Sequence, residues 1–260
     1  MFPKFNLNLK PLILTAAVAS ALMLGSVAFA DTPSKGATPP SQEQQVKTSP
    51  DPMIAKCTQF PDIPPGSPYY SYINCLACAN VINGYPDGTF GQNNPITRGQ
   101  LAKLISNAIP LNSNPGLPLF EDVPQDHVFY TYIQRLAQLN IISGYDCGGP
   151  DEPCGPEGYK YFRPAANATR GQIAKIISAS QGFSETPAQQ TFQDMPEGSP
   201  FYAEAYRLAL RNVISGYACG GANEPCVAPN NLPYFRPNAN ATRGQVAKMV
   251  AITYLSCGQD

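Results

Sequence analysis

Apolar side chains along the chain fall at helical spacing in six short windows, arranged as three pairs. The first window of each pair carries Tyr69, Ile73, Leu76, Ala77 and Val81, then Phe129, Ile133, Leu136, Ala137 and Ile141, then Phe201, Ala205, Leu208, Ala209 and Val213. Steps of three and four place each set on one helix face, the middle one over about residues 127–140. The second windows hold Leu101, Leu104 and Ile105, then Ile173, Ile176 and Ile177, then Val246, Met249 and Val250. Each follows Thr-Arg-Gly-Gln, beginning at Thr97, Thr169 and Thr242. Thr with Gln three residues later is a capping box, in which the two side chains satisfy the first free amides of a helix.

Polar and turn-forming residues punctuate the pairs in the same order each time. Phe-x-Asp opens each unit at Phe60, Phe120 and Phe192, with the acids at Asp62, Asp122 and Asp194. A Gly-Tyr corner follows the first helix, at Gly84, Gly144 and Gly216, where a left-handed glycine would close that helix. Asp87-Gly88 is a turn signal in the first connecting loop. Phe90, Phe162 and Phe235, late in the three loops, are expected to plug the core. The pattern predicts a mainly α chain of three tandem helix-loop-helix repeats, over residues 57–112, 117–183 and 189–257. A tandem array directs attention to surfaces built between repeats instead of one catalytic centre.

Arg98, Arg170 and Arg243 go beyond capping. Each stands in the first turn of a helix, where positive charge opposes the dipole. The residues leave two uses open: pairing with the Asp of a Phe-x-Asp opening, or holding an anionic ligand together with the free amides of that turn.

The N-terminus changes the compartment. Lys4 and Lys10 precede an apolar run from Pro11 to Leu24, and Ala28-Phe29-Ala30 supplies the small residues of a cleavage site. Residues 1–30 are read as an export signal, and residues 31–56, rich in Pro, Ser, Thr and Gln, as a flexible spacer. No later stretch is long and apolar enough to span a membrane, so no membrane contact is expected after signal cleavage. Removing residues 1–30 takes two of the 17 basic residues and none of the 18 acids, leaving a net charge of −3. The remaining cations are scattered, which argues against nucleic acid as a partner.

Eight cysteines in an exported chain are expected to pair. Corner Gly and motif Arg are 14 residues apart in the first unit but 26 and 27 in the later two. The two insertions hold Cys147 with Cys154 and Cys219 with Cys226, each predicted to be a local bridge stabilising by about 2.5 kcal/mol. Cys75 and Cys78, three apart on one helix, are predicted to reach outward to Cys57 and Cys257, in an order the spacing leaves open. No metal or cofactor is expected. His is confined to His127, read as a surface residue, and Asp87, Asp151, Glu152 and Glu224 are too irregular for a calcium loop. Asn167-Ala168-Thr169 and Asn240-Ala241-Thr242 match a glycosylation acceptor, but helix capping accounts for both threonines more simply. No nucleophile motif or phosphate loop is present, and the reading is of a non-enzyme.

The Phe-x-Asp opening, Gly-Tyr corner, Asp87-Gly88-Thr89-Phe90 and Thr-Arg start of a second helix together resemble the S-layer homology family, across about residues 57–257. The resemblance implies a pseudo-threefold helical bundle of three units, monomeric as a triplet. It also implies non-covalent attachment to cell-wall polysaccharide, often bearing negatively charged pyruvyl sugars, in grooves between units at the bacterial surface. Arg98, Arg170 and Arg243 map to the contacts with the acidic sugar. Asp62, Asp122, Asp194, Gly84, Gly144 and Gly216 map to positions that shape the grooves. The chain departs from the family in having Gly-Gln where Ala-Glu is usual, in its two bridged insertions, and in lacking Trp. The alternative role is assembly of a surface layer, or binding of other exported proteins through the repeats.

Overall fold

A computed structural model describes residue 57 and residues 59–109 and 115–257. The export signal and the spacer read from residues 1–56 lie outside the described residues. Among those described there are six helices: α1 (Tyr70–Cys78), α2 (Arg98–Ala108), α3 (Tyr130–Gln138), α4 (Arg170–Ser180), α5 (Tyr202–Leu210) and α6 (Arg243–Leu255). Extended pairing among the described residues is confined to isolated bridges, including Thr97 with Asn167, Thr169 with Asn240 and Pro95 with Thr242. Those three bridges link unit one to two, two to three, and one to three.

Helix pairing crosses the repeat boundaries. α2 packs on α3, α4 on α5 and α6 on α1, and α6 also meets α2 and α4. Each unit's second helix thus lies against the first helix of the next unit, with unit three returning to unit one. Ile73, Leu76, Ile133, Leu136 and Leu208 on the first helices are buried, with Leu101, Ile105, Ile173, Ile177, Val246 and Val250 on the second. Phe60, Phe120 and Phe192 pair with Phe90, Phe162 and Phe235 at ring-centroid distances of 5.3, 5.4 and 5.3 Å, and all six rings are buried. Such tilted pairs anchor each loop to the core.

The corner glycines do not close the first helices. Asn80, Asn140 and Asn212 do, each left-handed at φ 56°. Asn80 and Val81 donate to the carbonyls of Ala77 and Leu76, Asn140 and Ile141 to those of Ala137 and Leu136, and Asn212 and Val213 to those of Ala209 and Leu208. These are Schellman closures with Asn in the left-handed position. The corner glycine is required for a different reason: close approach. A Cβ on Gly84 would lie 2.6 Å from the Thr89 carbonyl oxygen, and one on Gly144 would lie 2.7 Å from that of Tyr161.

The second helices begin as the capping boxes require. Thr97, Thr169 and Thr242 each accept from the amide three residues on, and Gln100, Gln172 and Gln245 accept in return from the threonine amide. Thr169→Ala is expected to lower stability by about 1 kcal/mol. Urea denaturation read by circular dichroism measures it, and an unchanged midpoint would show that the box is dispensable.

Four disulfides join Cys57 to Cys78, Cys75 to Cys257, Cys147 to Cys154 and Cys219 to Cys226. The last two each span seven residues and hold the insertion loops. Within each loop, Gly148 and Gly220 donate to the Glu152 and Glu224 carbonyls, and the Tyr161 and Tyr234 hydroxyls donate to Pro153 and Pro225 carbonyls.

Candidate functional site

The arginines and the opening aspartates share a target without touching each other. Asp62 accepts from the Phe90 and Gly91 amides at 2.8 and 2.7 Å, Asp122 from Phe162 and Arg163, and Asp194 from Phe235 and Arg236. The carbonyl of the same phenylalanine accepts from an arginine of another unit. Arg98 Nε donates to Phe162 at 2.7 Å, Arg170 to Phe235 at 2.7 Å and Arg243 to Phe90 at 2.8 Å. Each loop is therefore gripped at one residue by its own unit's carboxylate and by the preceding unit's guanidinium. Arg-Asp pairing, one of the two uses the residues left open, is replaced by this clamp on the backbone between them.

The first-turn amides are not free either. Arg98 and Gly99 donate to the Ala166 and Pro164 carbonyls, Arg170 and Gly171 to Ala239 and Pro237, and Arg243 and Gly244 to Asn94 and Gln92. The positive end of each second helix is consumed by the neighbouring loop, which removes it as an anion site. Gly99, Gly171 and Gly244 let this contact close. A Cβ there would meet the rings of Phe129, Phe201 and Tyr69 at 2.3, 2.3 and 2.6 Å. An aromatic pressed on the helix start explains Gly where the family resemblance leads one to expect Ala.

Each guanidinium also lies against two rings: Arg98 at Tyr145 and Phe162, Arg170 at Tyr217 and Phe235, Arg243 at Tyr85 and Phe90, with centroid distances of 4.4–5.1 Å. Burial pushes all three arginine pKa values down, but a guanidinium keeps its charge in a protein. In units two and three a second guanidinium covers the corner tyrosine, Arg163 at 3.9 Å from Tyr145 and Arg236 at 3.8 Å from Tyr217. Arg163 and Arg236 adopt φ 60° and 58°, where unit one has Gly91 at 70°. Bidentate bonds to Glu152 and Glu224 accompany that unfavourable backbone and hold both carboxyl pKa values below the ordinary range. Two of the acids weighed as calcium ligands are therefore engaged by arginine, and Asp87 caps the turn at Thr89. No cluster of three or more metal-ligating side chains occurs among the described residues. His127 accepts the Phe129 amide at the start of α3, as the Ser67 hydroxyl accepts that of Tyr69 before α1.

Three grooves open on the surface with equivalent linings. One is lined by Gly84, Tyr85, Gln100, Lys103, Phe129 and Arg243, a second by Gly144, Tyr145, Gln172, Lys175, Phe201 and Arg98, and a third by Gly216, Tyr217, Gln245, Lys248, Tyr69 and Arg170. Their volumes are about 170, 180 and 250 Å³ respectively. Every groove draws on all three units. The arginines and corner glycines singled out in the sequence line the grooves, whereas Asp62, Asp122 and Asp194 stand behind them and hold the loops. Lys103, Lys175 and Lys248 were missed by the sequence reading. Their signal was available: a lysine three residues after each Gln, repeated in three otherwise apolar helices.

The S-layer homology domain model matches residues 59–102 and 119–154. The chain is 23% identical over 207 residues to S-layer protein EA1 of Bacillus anthracis, covering 78% of this chain and 21% of that protein. It is 28% identical over 162 residues to a cell surface protein of Thermoanaerobacter kivui, covering 60% and 18%. An endoglucanase of Bacillus sp. (strain KSM-635) is 24% identical over 198 residues, covering 74% and 18%. Residues 59–102 and 119–154 thus carry S-layer homology domain sequence, and the surface-layer and cell-surface relatives support a place at the cell surface or cell wall. The chain spans about a fifth of the length of these relatives.

Proposed function

We propose that this chain is a non-catalytic envelope anchor that holds anionic cell-wall polysaccharide in the grooves between its units. In this reading residues 57–112, 117–183 and 189–257 are three S-layer homology units, arranged with pseudo-threefold symmetry as one monomeric bundle. Residues 1–30 are the export signal and 31–56 the spacer. The observation that carries the proposal is the threefold recurrence of one lining: an arginine, a lysine, a glutamine, a corner tyrosine and an aromatic from a third unit. Cations supply charge for an acidic group, and the aromatic and amide groups suit the faces and hydroxyls of a sugar. Pyruvyl-bearing sugars, which the family resemblance implies, fit that chemistry.

Co-sedimentation with cell-wall sacculi, before and after their secondary polysaccharide is stripped, tests this. The informative variant is Lys103→Ala/Lys175→Ala/Lys248→Ala, since the lysines carry no backbone clamp. Binding is expected to fall at least about tenfold on stripping and in the triple variant, as for loss of several charge-assisted bonds. Binding that ignores both changes would favour the alternative, assembly with other surface proteins.

A further inference from the structure

The three grooves share a plan but differ in the state of their polar groups. Arg98 donates both Nε to Phe162 and Nη2 to the Ser143 carbonyl, at 2.7 and 3.3 Å. Arg170 is 5% exposed and donates Nε to Phe235, as Arg243 donates Nε to Phe90, and neither makes a bond from its terminal nitrogens to a protein acceptor among the described residues. A buried guanidinium with unused donors on a groove wall is poised for a ligand, whereas the Arg98 fork is largely committed inside the protein.

The aromatic from the third unit differs as well. It is Phe129 and Phe201 in two grooves and Tyr69 in the groove of Arg170. Tyr69 brings a hydroxyl near Tyr217 and Arg170; burial raises its pKa, with Tyr217 adding and Arg170 opposing, so the phenol remains a proton donor. Tyr217 is held by the Gln245 amide at 3.0 Å and by Arg236 across its ring. That fixes one phenol in place before any ligand arrives.

The lysines complete the contrast. Lys248 lies over the Tyr72 ring at 5.6 Å and Lys103 over Tyr132 at 5.7 Å. The third unit has Glu204 at the position of those tyrosines, on the helix that packs against the one bearing Lys175. Lys175 is exposed, while Lys103 and Lys248 are half-buried. A carboxylate at that position opposes an anion and leaves the lysine in open solvent, where its charge is screened.

We infer that the grooves are functionally unequal, and that the one where unit three closes on unit one is the principal site for an anionic, polyhydroxylated saccharide. Arg170 and Lys248 would take the acidic group there, and Tyr69 and Tyr217 the hydroxyls. This rests on the anchoring role proposed above and adds which groove dominates and which groups discriminate. The Arg98–Lys175 groove is the weakest of the three.

Affinity for unstripped sacculi, with stripped sacculi as the blank, is compared for Lys248→Ala, Tyr69→Phe and Lys175→Ala in the otherwise intact chain. Tyr69→Phe keeps the ring that packs on Gly244, so its fold is preserved, and thermal melting checks all three. Lys248→Ala and Tyr69→Phe are each expected to raise Kd about tenfold, and Lys175→Ala less than about twofold. Wild-type affinity in Tyr69→Phe, or a Lys175→Ala loss equal to that of Lys248→Ala, overturns the inference while leaving the anchoring role intact. Failure of the wild-type chain to bind unstripped sacculi overturns both.

Discussion

Replacing Cys75 and Cys257 by serine is expected to lower the free energy of unfolding by about 5 kcal/mol, the largest effect of any disulfide in the chain. The two residues are 182 apart in sequence, against 21 for Cys57–Cys78 and seven for each loop bridge. A cross-link stabilises chiefly by restricting the unfolded chain, and the restriction grows with the logarithm of the loop it closes. The bond also joins α1 to the residues after α6, two helices already in contact. It therefore secures the junction of the last unit with the first, where Tyr69 lies on Gly244. Denaturant unfolding of the double-Ser variant measures the loss, with an increase in m as the unfolded chain expands. The Cys147→Ser/Cys154→Ser variant, expected to lose about 2.5 kcal/mol, is the comparison. An equal or smaller loss on removing the long-range bridge would contradict the loop-entropy account.

Arg243→Ala is expected to cost about 3–5 kcal/mol through loss of buried packing and of a buried hydrogen bond. The side chain is buried, its guanidinium lies 4.7 and 4.5 Å from the Tyr85 and Phe90 ring centres, and Nε donates to the Phe90 carbonyl. Truncation leaves that carbonyl without its donor and opens a gap between two rings. Lysine should restore only part of the loss, because an ammonium has neither the planar face nor the directed fork of a guanidinium. Asp62 accepts from the amides of both Phe90 and Gly91, and the Gly91 amide shares its peptide group with the Phe90 carbonyl that Arg243 holds, so the two residues act on one peptide. Arg243→Ala and Asp62→Ala should consequently be non-additive by about 0.5–3 kcal/mol in a double-mutant cycle followed by denaturant unfolding. Additive losses, or an Arg243→Ala cost below about 1 kcal/mol as for an exposed ion pair, would show that the clamp is not structural. The same reasoning makes lysine the better probe of the proposed glycan binding, since removing all three arginines threatens the fold.

Several misreadings of the sequence have one origin. Gly84, Gly144 and Gly216 looked like helix closures because glycine is the usual left-handed residue, yet Asn80, Asn140 and Asn212 took that place. The glycines answer instead to a phenylalanine ring and a carbonyl brought from elsewhere in the chain. Arg98, Arg170 and Arg243 were recognised as a departure from dipole preference, but their partner, a backbone carbonyl 64, 65 or 153 residues away, has no side-chain signature. The first-turn amides looked available because a helix taken alone leaves them so; neighbouring loops satisfy them.

Everything governed by short-range periodicity was legible: the six apolar windows, the capping boxes at Thr97, Thr169 and Thr242, and the recurrence of one unit three times. Local hydrogen bonds and one-sided burial leave their marks within a few residues of where they act. Which unit supplies each groove wall was not legible, because every groove combines three segments from three units. Nor was the difference between the grooves, since Tyr69 against Phe129 and Phe201 reads as a conservative change of aromatic. Only the return of α6 onto α1 brings the Tyr69 phenol to Arg170 and Lys248, and there a single hydroxyl sets the lining of this groove apart from the other two.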